Sequence, residues 1–378
     1  MKVVLVHDYL REYGGAERVL ETLHEIFPQA PVFTAYYNPL GLGVNAQHFA
    51  GWDIRTSWMQ KVPFANKLIS PFRIFAPLIF ESFDLSAFDV VISSSAVYFA
   101  KSVLTQPQTL HIAYIHTPPR FLYGFTTSFN YKKNPLTRIL GEIANHFLRL
   151  YDFQVSQRPD ILVANSENVK KRIKKFYRRD SVVIYPPVDT KLFTTGYLQF
   201  AKSQQLKAKS YYLVVSRLVR GKGVEIIIEA CGRLGLPLKV AGSGPERESQ
   251  ESRVKSQGWR NIEFLGQVLD SELPKLYAGA KALIVSSEDE DFGITPVEAQ
   301  AAGTPVIAIK AGGYLETVVE GKTGEFFTPA TPKALMEVLE NFNSEKYNPE
   351  DCRKQAEKFS KVRFKKEILE LIEKNIKK

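Results

Sequence analysis

Glu290-Asp291-Phe292-Gly293-Ile294-Thr295-Pro296-Val297-Glu298 sets two carboxylates eight positions apart, with a Phe-Gly turn between them and a helix-forming run behind. Proline is favoured in the first turn of a helix, where its missing N–H costs nothing. Pro296 therefore predicts a helix start, with Glu298 about one turn inside and Glu290 on the loop before it. Both carboxylates then reach one ligand near the helix start. Taken alone, the stretch also fits an acidic loop that offsets the helix dipole.

A second stretch gives it context. Tyr211-Tyr212-Leu213-Val214-Val215 reads as a buried strand, followed by Ser216-Arg217-Leu218-Val219-Arg220-Gly221-Lys222-Gly223 and a helical run from Val224 to Leu234. Arg217 and Lys222 then lie on a strand-to-helix turn, beside backbone N–H groups that favour an anion. Arginine grips two phosphate oxygens at once and lysine adds a compact charge, a combination suited to a diphosphate. For either cation alone, a solvated surface side chain is the competing reading.

With these two stretches, Gly14-Gly15-Ala16-Glu17-Arg18, His116-Thr117-Pro118-Pro119-Arg120, Val163-Ala164-Asn165-Ser166 and Tyr185-Pro186-Pro187-Val188-Asp189, the chain resembles the retaining, nucleotide-sugar-dependent glycosyltransferases of family 4 (group 1) nearly end to end. The resemblance implies the GT-B fold: an α/β architecture of two Rossmann-like domains whose parallel sheets face each other across a cleft. The His-Thr-Pro-Pro-Arg and Glu-Asp-Phe-Gly-Ile-Thr-Pro-Val-Glu versions look most like bacterial mannosyltransferases that use GDP-mannose for surface polysaccharides.

It also implies residue roles. Arg217 and Lys222 hold the diphosphate; Glu290 contacts the donor sugar and Glu298 the ribose. Backbone N–H groups around Phe292, Gly293, Ile294 and Thr295 lie near the sugar, and Gly293 lets the main chain approach closely. His116 ends the apolar run Leu110–Ile115 and precedes Thr117-Pro118-Pro119, a position that predicts projection from a strand's C-terminal edge into the cleft. In the family such a histidine contacts the donor sugar. Gly14 and Gly15 follow the first strand and suit a close approach to a ligand or the acceptor. The catalytic set expected is therefore His116, Glu290, Arg217 and Lys222. No second carboxylate at a defensible spacing supplies a nucleophile, so the glycosidase route is unsupported. The resemblance implies retention by front-face attack with the leaving phosphate assisting.

Neither Gly14-Gly15 nor Gly242-Ser243-Gly244 completes the G-x-G-x-x-G fingerprint of a dinucleotide enzyme. Asp289-Glu290-Asp291 spells D-x-D, which many glycosyltransferases use to hold a divalent cation. Arg217 and Lys222 already supply positive charge, and no metal or other cofactor is expected beyond the nucleotide sugar as co-substrate.

Strand-like and helical runs alternate through both halves, at Val3–His7, Val90–Ser94, Leu110–His116 and Ile161–Asn165, then at Tyr212–Val215, Leu238–Ala241, Ile262–Leu265, Ala282–Val285 and Pro305–Ile309. This alternation argues for parallel sheets. The expected domains are 1–187 (Rossmann-like, acceptor-binding), a linker over 188–210, 211–355 (Rossmann-like, nucleotide-sugar-binding) and a C-terminal helix over 356–378. The charged segment Asn348–Lys378 reads as an amphipathic helix whose apolar face is Phe359, Val362, Phe364, Ile368, Leu371 and Ile372. The resemblance implies that it returns to the first domain.

A chain of 378 residues with 44% hydrophobic content accommodates two cores. Cys231 and Cys352 match no disulfide or metal framework, and the chain opens directly on a strand, which together predict a cytoplasmic protein. No apolar stretch reaches the ~20 residues of a membrane span. The net charge of +10 suits an anionic partner. Nucleic acid is disfavoured, because neither zinc-finger spacing nor an aromatic RNA-binding motif is present. Arg55–Phe83 and Arg120–Lys133 mix aromatic and basic residues, as a peripheral surface for the inner face of a membrane or as packed helices with snorkelling cations. Three readings compete: a transferase using GDP-mannose or a UDP-sugar toward a glycan or lipid-linked acceptor, a nucleotide-sugar epimerase or hydrolase of the same fold, and a non-catalytic nucleotide- or lipid-binding module.

Overall fold

The computed structural model describes residues 1–126, 135–202 and 210–376, which form two compact units. The first comprises residues 1–125, 130–187 and 364–378; the second comprises 126–129 and 188–363.

The first unit holds a seven-stranded, wholly parallel sheet: β1 (Val3–His7), β2 (Val32–Thr34), β3 (Ile54–Thr56), β4 (Val90–Ser95), β5 (Leu110–Ile115), β6 (Ile161–Ala164) and β7 (Val182–Val183), in the order β3-β2-β1-β4-β5-β6-β7. β1 shows why its sequence is an unbroken apolar run. Alternate side chains enter different cores, Val3 and Leu5 on one face and Val4 and Val6 on the other, as a strand covered on both sides requires.

The second unit repeats the plan with six parallel strands: β8 (Tyr211–Val215), β9 (Leu238–Ala241), β10 (Ile262–Gly266), β11 (Ala280–Val285), β12 (Val306–Ile309) and β13 (Gly324–Phe327), ordered β10-β9-β8-β11-β12-β13. The strand order reverses beside β1 in one sheet and beside β8 in the other. Loops diverge at such points and leave a crevice at the carboxyl ends of the strands.

Three features differ from the expectation. The polar connection expected over 188–210 opens with a helix, Thr190–Lys202, whose Phe193 is buried against Tyr277; residues 203–209 lie outside the described set. The C-terminal segment is two helices, Pro349–Glu357 and Lys361–Ile376. Of its expected apolar face, Phe359 packs on Phe292 in the second unit, whereas Phe364, Ile368 and Ile372 join the core of the first and Val362 is 62% exposed. Finally, the aromatic and basic run Arg55–Phe83 is divided. Phe80 is core and Arg73 stacks on Phe121, while Trp58, Phe64, Phe75 and Leu78 are exposed. Residues 127–133 of the other aromatic and basic stretch lie outside the described set.

Candidate functional site

In the second unit the turn after β8 runs from Ser216 to Gly223 and leads into the helix Val224–Leu234. Arg217 is exposed on it. The turn is pinned from β11's end: Ser286 Oγ donates to the Gly223 carbonyl at 2.8 Å and Ser287 Oγ to that of Gly221 at 3.0 Å. Lys222 Nζ forms a 2.7 Å ion pair with Glu290 Oε2, the two side chains being 24% and 17% exposed. Half-buried, the pair escapes full solvent screening yet stays open to a competing anion.

Glu290 is held by its main chain as well as its side chain. Gly313 N donates to its carbonyl at 2.9 Å, and Tyr314 OH lies 3.5 Å from the carboxylate. Gly313 is required by contact, because a Cβ there would sit 2.3 Å from the Phe292 Cα. Gly293 has φ +91°, in the region that favours glycine, and precedes the helix Ile294–Ala301. Pro296 is that helix's third residue, within the first turn as expected. Ile294 and Thr295 begin the helix, and Phe292 is buried against Phe359. Glu298 is 1% exposed and accepts a 2.7 Å bond from Tyr277 OH. A cavity of ≈ 330 Å³ lies beside the turn, lined in part by Gly221, Gly223, Glu225, Ser286, Glu288 and Asp289. Among the described residues no three His, Cys, Asp or Glu side chains converge as a metal cluster.

In the first unit His116 follows β5, and its ring is directed onto the neighbouring strand. Nε2 lies 2.8 Å from Ser94 Oγ, and the residue is 8% exposed. Ser94 Oγ is 3.1 Å from His7 Nδ1, and His7 Nε2 faces Glu17 Oε1 at 3.5 Å. His7 and Ser94 are register partners on β1 and β4, where the strand order reverses. His7 Nε2–H donates to Glu17; in the arrangement where Ser94 Oγ donates to His7 Nδ1, His116 donates Nε2–H to Ser94 and keeps a bare Nδ1. Burial, with His7 adding to it, pushes the His116 pKa down to about 3, consistent with a neutral ring. Sequence reasoning missed this chain, because its members are 10, 87 and 22 residues apart.

Glu17 also accepts a 2.8 Å bond from Gly14 N, capping the helix Gly15–Ile26. Gly14 has φ −154°, extended backbone open to any residue, so conformation does not demand glycine there. Next to it Asp8, 3% exposed, accepts the N–H groups of Ala96, Val97 and Tyr98 on one oxygen and that of Ala100 on the other, at 2.6 to 2.9 Å.

Residues 13–192 match the family described as Glycosyltransferase Family 4, and residues 198–359 match Glycosyl transferases group 1. The chain belongs to the group 1, family 4 glycosyltransferases. A D-inositol 3-phosphate glycosyltransferase of Corynebacterium urealyticum is 29% identical to this family 4 chain over 213 residues, 50% of each protein. The chain spans about half the length of the curated relatives it matches. Among solved structures, sucrose-phosphate synthase from Thermosynechococcus elongatus superposes with TM-score 0.74 at 18% identity, covering 99% of both chains. Anabaena HepE in complex with UDP and glucose superposes with TM-score 0.70 at 19% identity, also over 99% of both. At these identities the likeness shows the GT-B fold alone. Among the described residues no helix is long and apolar enough to cross a membrane.

Proposed function

We propose that the chain is a retaining glycosyltransferase that moves a hexose from a nucleoside diphosphate sugar to a glycan or lipid-linked acceptor. The observation that carries this reading is the half-buried Lys222–Glu290 pair beside the reversal point of the second sheet. Breaking a glycosyl-phosphate bond builds negative charge on the diphosphate and positive charge on the sugar, and fixed charges act best where water is excluded. An entering diphosphate competes for Lys222, with Arg217 as second cation, and frees Glu290 to take the sugar hydroxyls. Two cations meet the diphosphate charge without a required metal, and turnover is expected to continue in a chelator. N–H groups at Phe292 to Thr295 face the sugar. Glu298 meets the ribose. His116 offers Nδ1 as an acceptor for a donor-sugar hydroxyl, and Gly14 and Gly15 border the acceptor.

The motif resemblance favours GDP-mannose as donor. UDP-glucose is the second reading, favoured by the fold likeness to a protein solved with UDP and glucose. Thermal stabilisation by a panel of GDP, UDP, ADP and their sugars separates them, since a ligand bound only by the folded state raises its apparent stability. Response to GDP and GDP-mannose alone supports the first; a uridine preference overturns it and keeps the family. A new glycosidic bond in the products distinguishes a transferase from an epimerase or hydrolase, and ligand binding with no turnover of any donor sinks the catalytic reading.

A further inference from the structure

The helix Pro135–Val155 buries one stripe and leaves another bare. Asn145, Leu148, Asp152 and Val155 recur at helical spacing on its buried side. Tyr151 packs edge-on against Phe99, and Arg149 donates to the Leu122 carbonyl. On the opposite side Ile139, Leu140, Ile143, Phe147, Leu150 and Phe153 are 44% to 62% exposed. At about 100° per residue these six fall within an arc of roughly 140°. Between Arg138 and Val155 the other exposed residues in that arc are His146 and Gln154, so it carries no carboxylate, lysine or arginine. Six large apolar side chains on one bare helix face exceed the scatter of single exposed hydrophobics on a soluble surface.

Charge says what covers this face. The unit that owns the helix has 26 Lys and Arg against 17 Asp and Glu, whereas the other has 24 against 23. Nearly the whole surplus of the chain is therefore on the unit with the apolar stripe. Part of it adjoins the helix directly. Exposed Lys171, Lys174, Lys175 and Arg178 run from the middle of the helix Glu167–Tyr177 to just past its end. That end is tied to the end of the apolar helix by Gln157 Nε2 donating to the Tyr177 carbonyl at 3.2 Å and by Arg179 Nη1 donating to the Ser156 carbonyl at 2.8 Å.

We propose that the exposed face of Pro135–Val155, with Lys171, Lys174, Lys175 and Arg178, docks on an anionic lipid bilayer. Such a helix lies in the interface with its apolar side among the acyl chains, while neighbouring cations meet the headgroups. A second copy of the chain fits less well, because it would bring two units of the same positive surplus together. The inference does not depend on which nucleotide sugar is the donor.

The test uses the full chain in flotation with vesicles of phosphatidylcholine alone and of phosphatidylcholine with an equal amount of phosphatidylglycerol. Binding to the anionic vesicles is expected, weakened by added salt, with little on the neutral ones. Replacing Ile143, Phe147 and Leu150 together by serine is expected to cut anionic-vesicle binding at least about tenfold, since each buried apolar group contributes to insertion. Because these side chains are exposed, the melting temperature should hold, and it is measured in parallel. A Lys171→Glu, Lys175→Glu variant leaves the helix face intact and is expected to weaken binding on its own. Three results overturn the proposal: no binding to either vesicle, equal binding by the wild type and the serine variant, or a solution dimer that the serine variant abolishes while vesicles bind neither protein.

Discussion

The crevice end of each sheet carries a cluster of polar residues, and the two are built on opposite plans. Beside β1, His7, Ser94 and His116 are bonded to one another and buried, and Asp8 is saturated by four backbone donors. Beside β8, Lys222 and Glu290 hold each other while both keep some contact with solvent. A network closed on itself fixes the direction and proton content of one atom, here His116 Nδ1. A pair that is partly open can exchange its partners for a ligand's charges. The difference predicts that substitutions in the first cluster act through stability or proton placement, and those in the second through ligand binding.

The largest effect on activity should come from the open pair. Lys222→Ala or Glu290→Ala is expected to lower kcat/KM by ~10²-fold or more, the scale of losing one group that meets transition-state charge, with the melting temperature little changed. Steady-state kinetics with thermal denaturation checks this, and a folded variant with full activity would break the comparison. Asp8→Ala should give the opposite signature. It leaves four backbone N–H groups without their acceptor, those of Tyr98 and Ala100 buried, and is expected to cost on the order of 3–5 kcal/mol in denaturant unfolding.

Acid should also find the first unit. Burial first, and the Arg179 and Arg158 cations second, push His111 down to about 3, like His116. The unfolded chain takes up protons on both rings below its ordinary value of 6.5, while the folded chain does not until about 3. Stability is therefore complete above the upper limit and falls as pH drops between the two, by about 1.4 kcal/mol per pH unit for each proton. Denaturant midpoints between pH 7 and 4 measure the slope, and a flat profile would contradict the buried neutral rings. The smallest effect expected is that of Ser94→Ala, roughly tenfold in kcat with about 1 kcal/mol in stability. Histidine nitrogen NMR shifts should show His116 losing its fixed Nε2–H tautomer in this variant.

The reach of the sequence follows the range of the interactions. Apolar runs such as Val3–Val6 announce themselves, and the turn between Val215 and Val224 is local enough to read. The three-residue strands β2 and β3 and the two-residue β7 are too short to show a period, and their pairing depends on neighbours distant in the chain. Thr190–Lys202 is helical although it leads into a polar connection, because Phe193 finds an aromatic partner at Tyr277. The pairing of Lys222 with Glu290 and the linkage of Glu17 through His7 and Ser94 to His116 bring together residues far apart in sequence. Composition names such residues without saying which atoms meet. Gly312-Gly313-Tyr314 was the available signal for the backing of Glu290, two glycines that follow β12 after Lys310 and Ala311.

Asp8 has one more consequence. Loops at the reversal point of a parallel sheet readily wrap an anion in backbone N–H groups, and both sheets here have such a point. In the first, the cradle formed by Ala96 to Ala100 already holds an anion that is covalently part of the chain and cannot diffuse away. A tethered carboxylate acts as a permanent competitor at that address, so a polyphosphate sampling the molecule is turned away there. Of two nearly duplicate architectures, only the one beside β1 carries its own anion in this way.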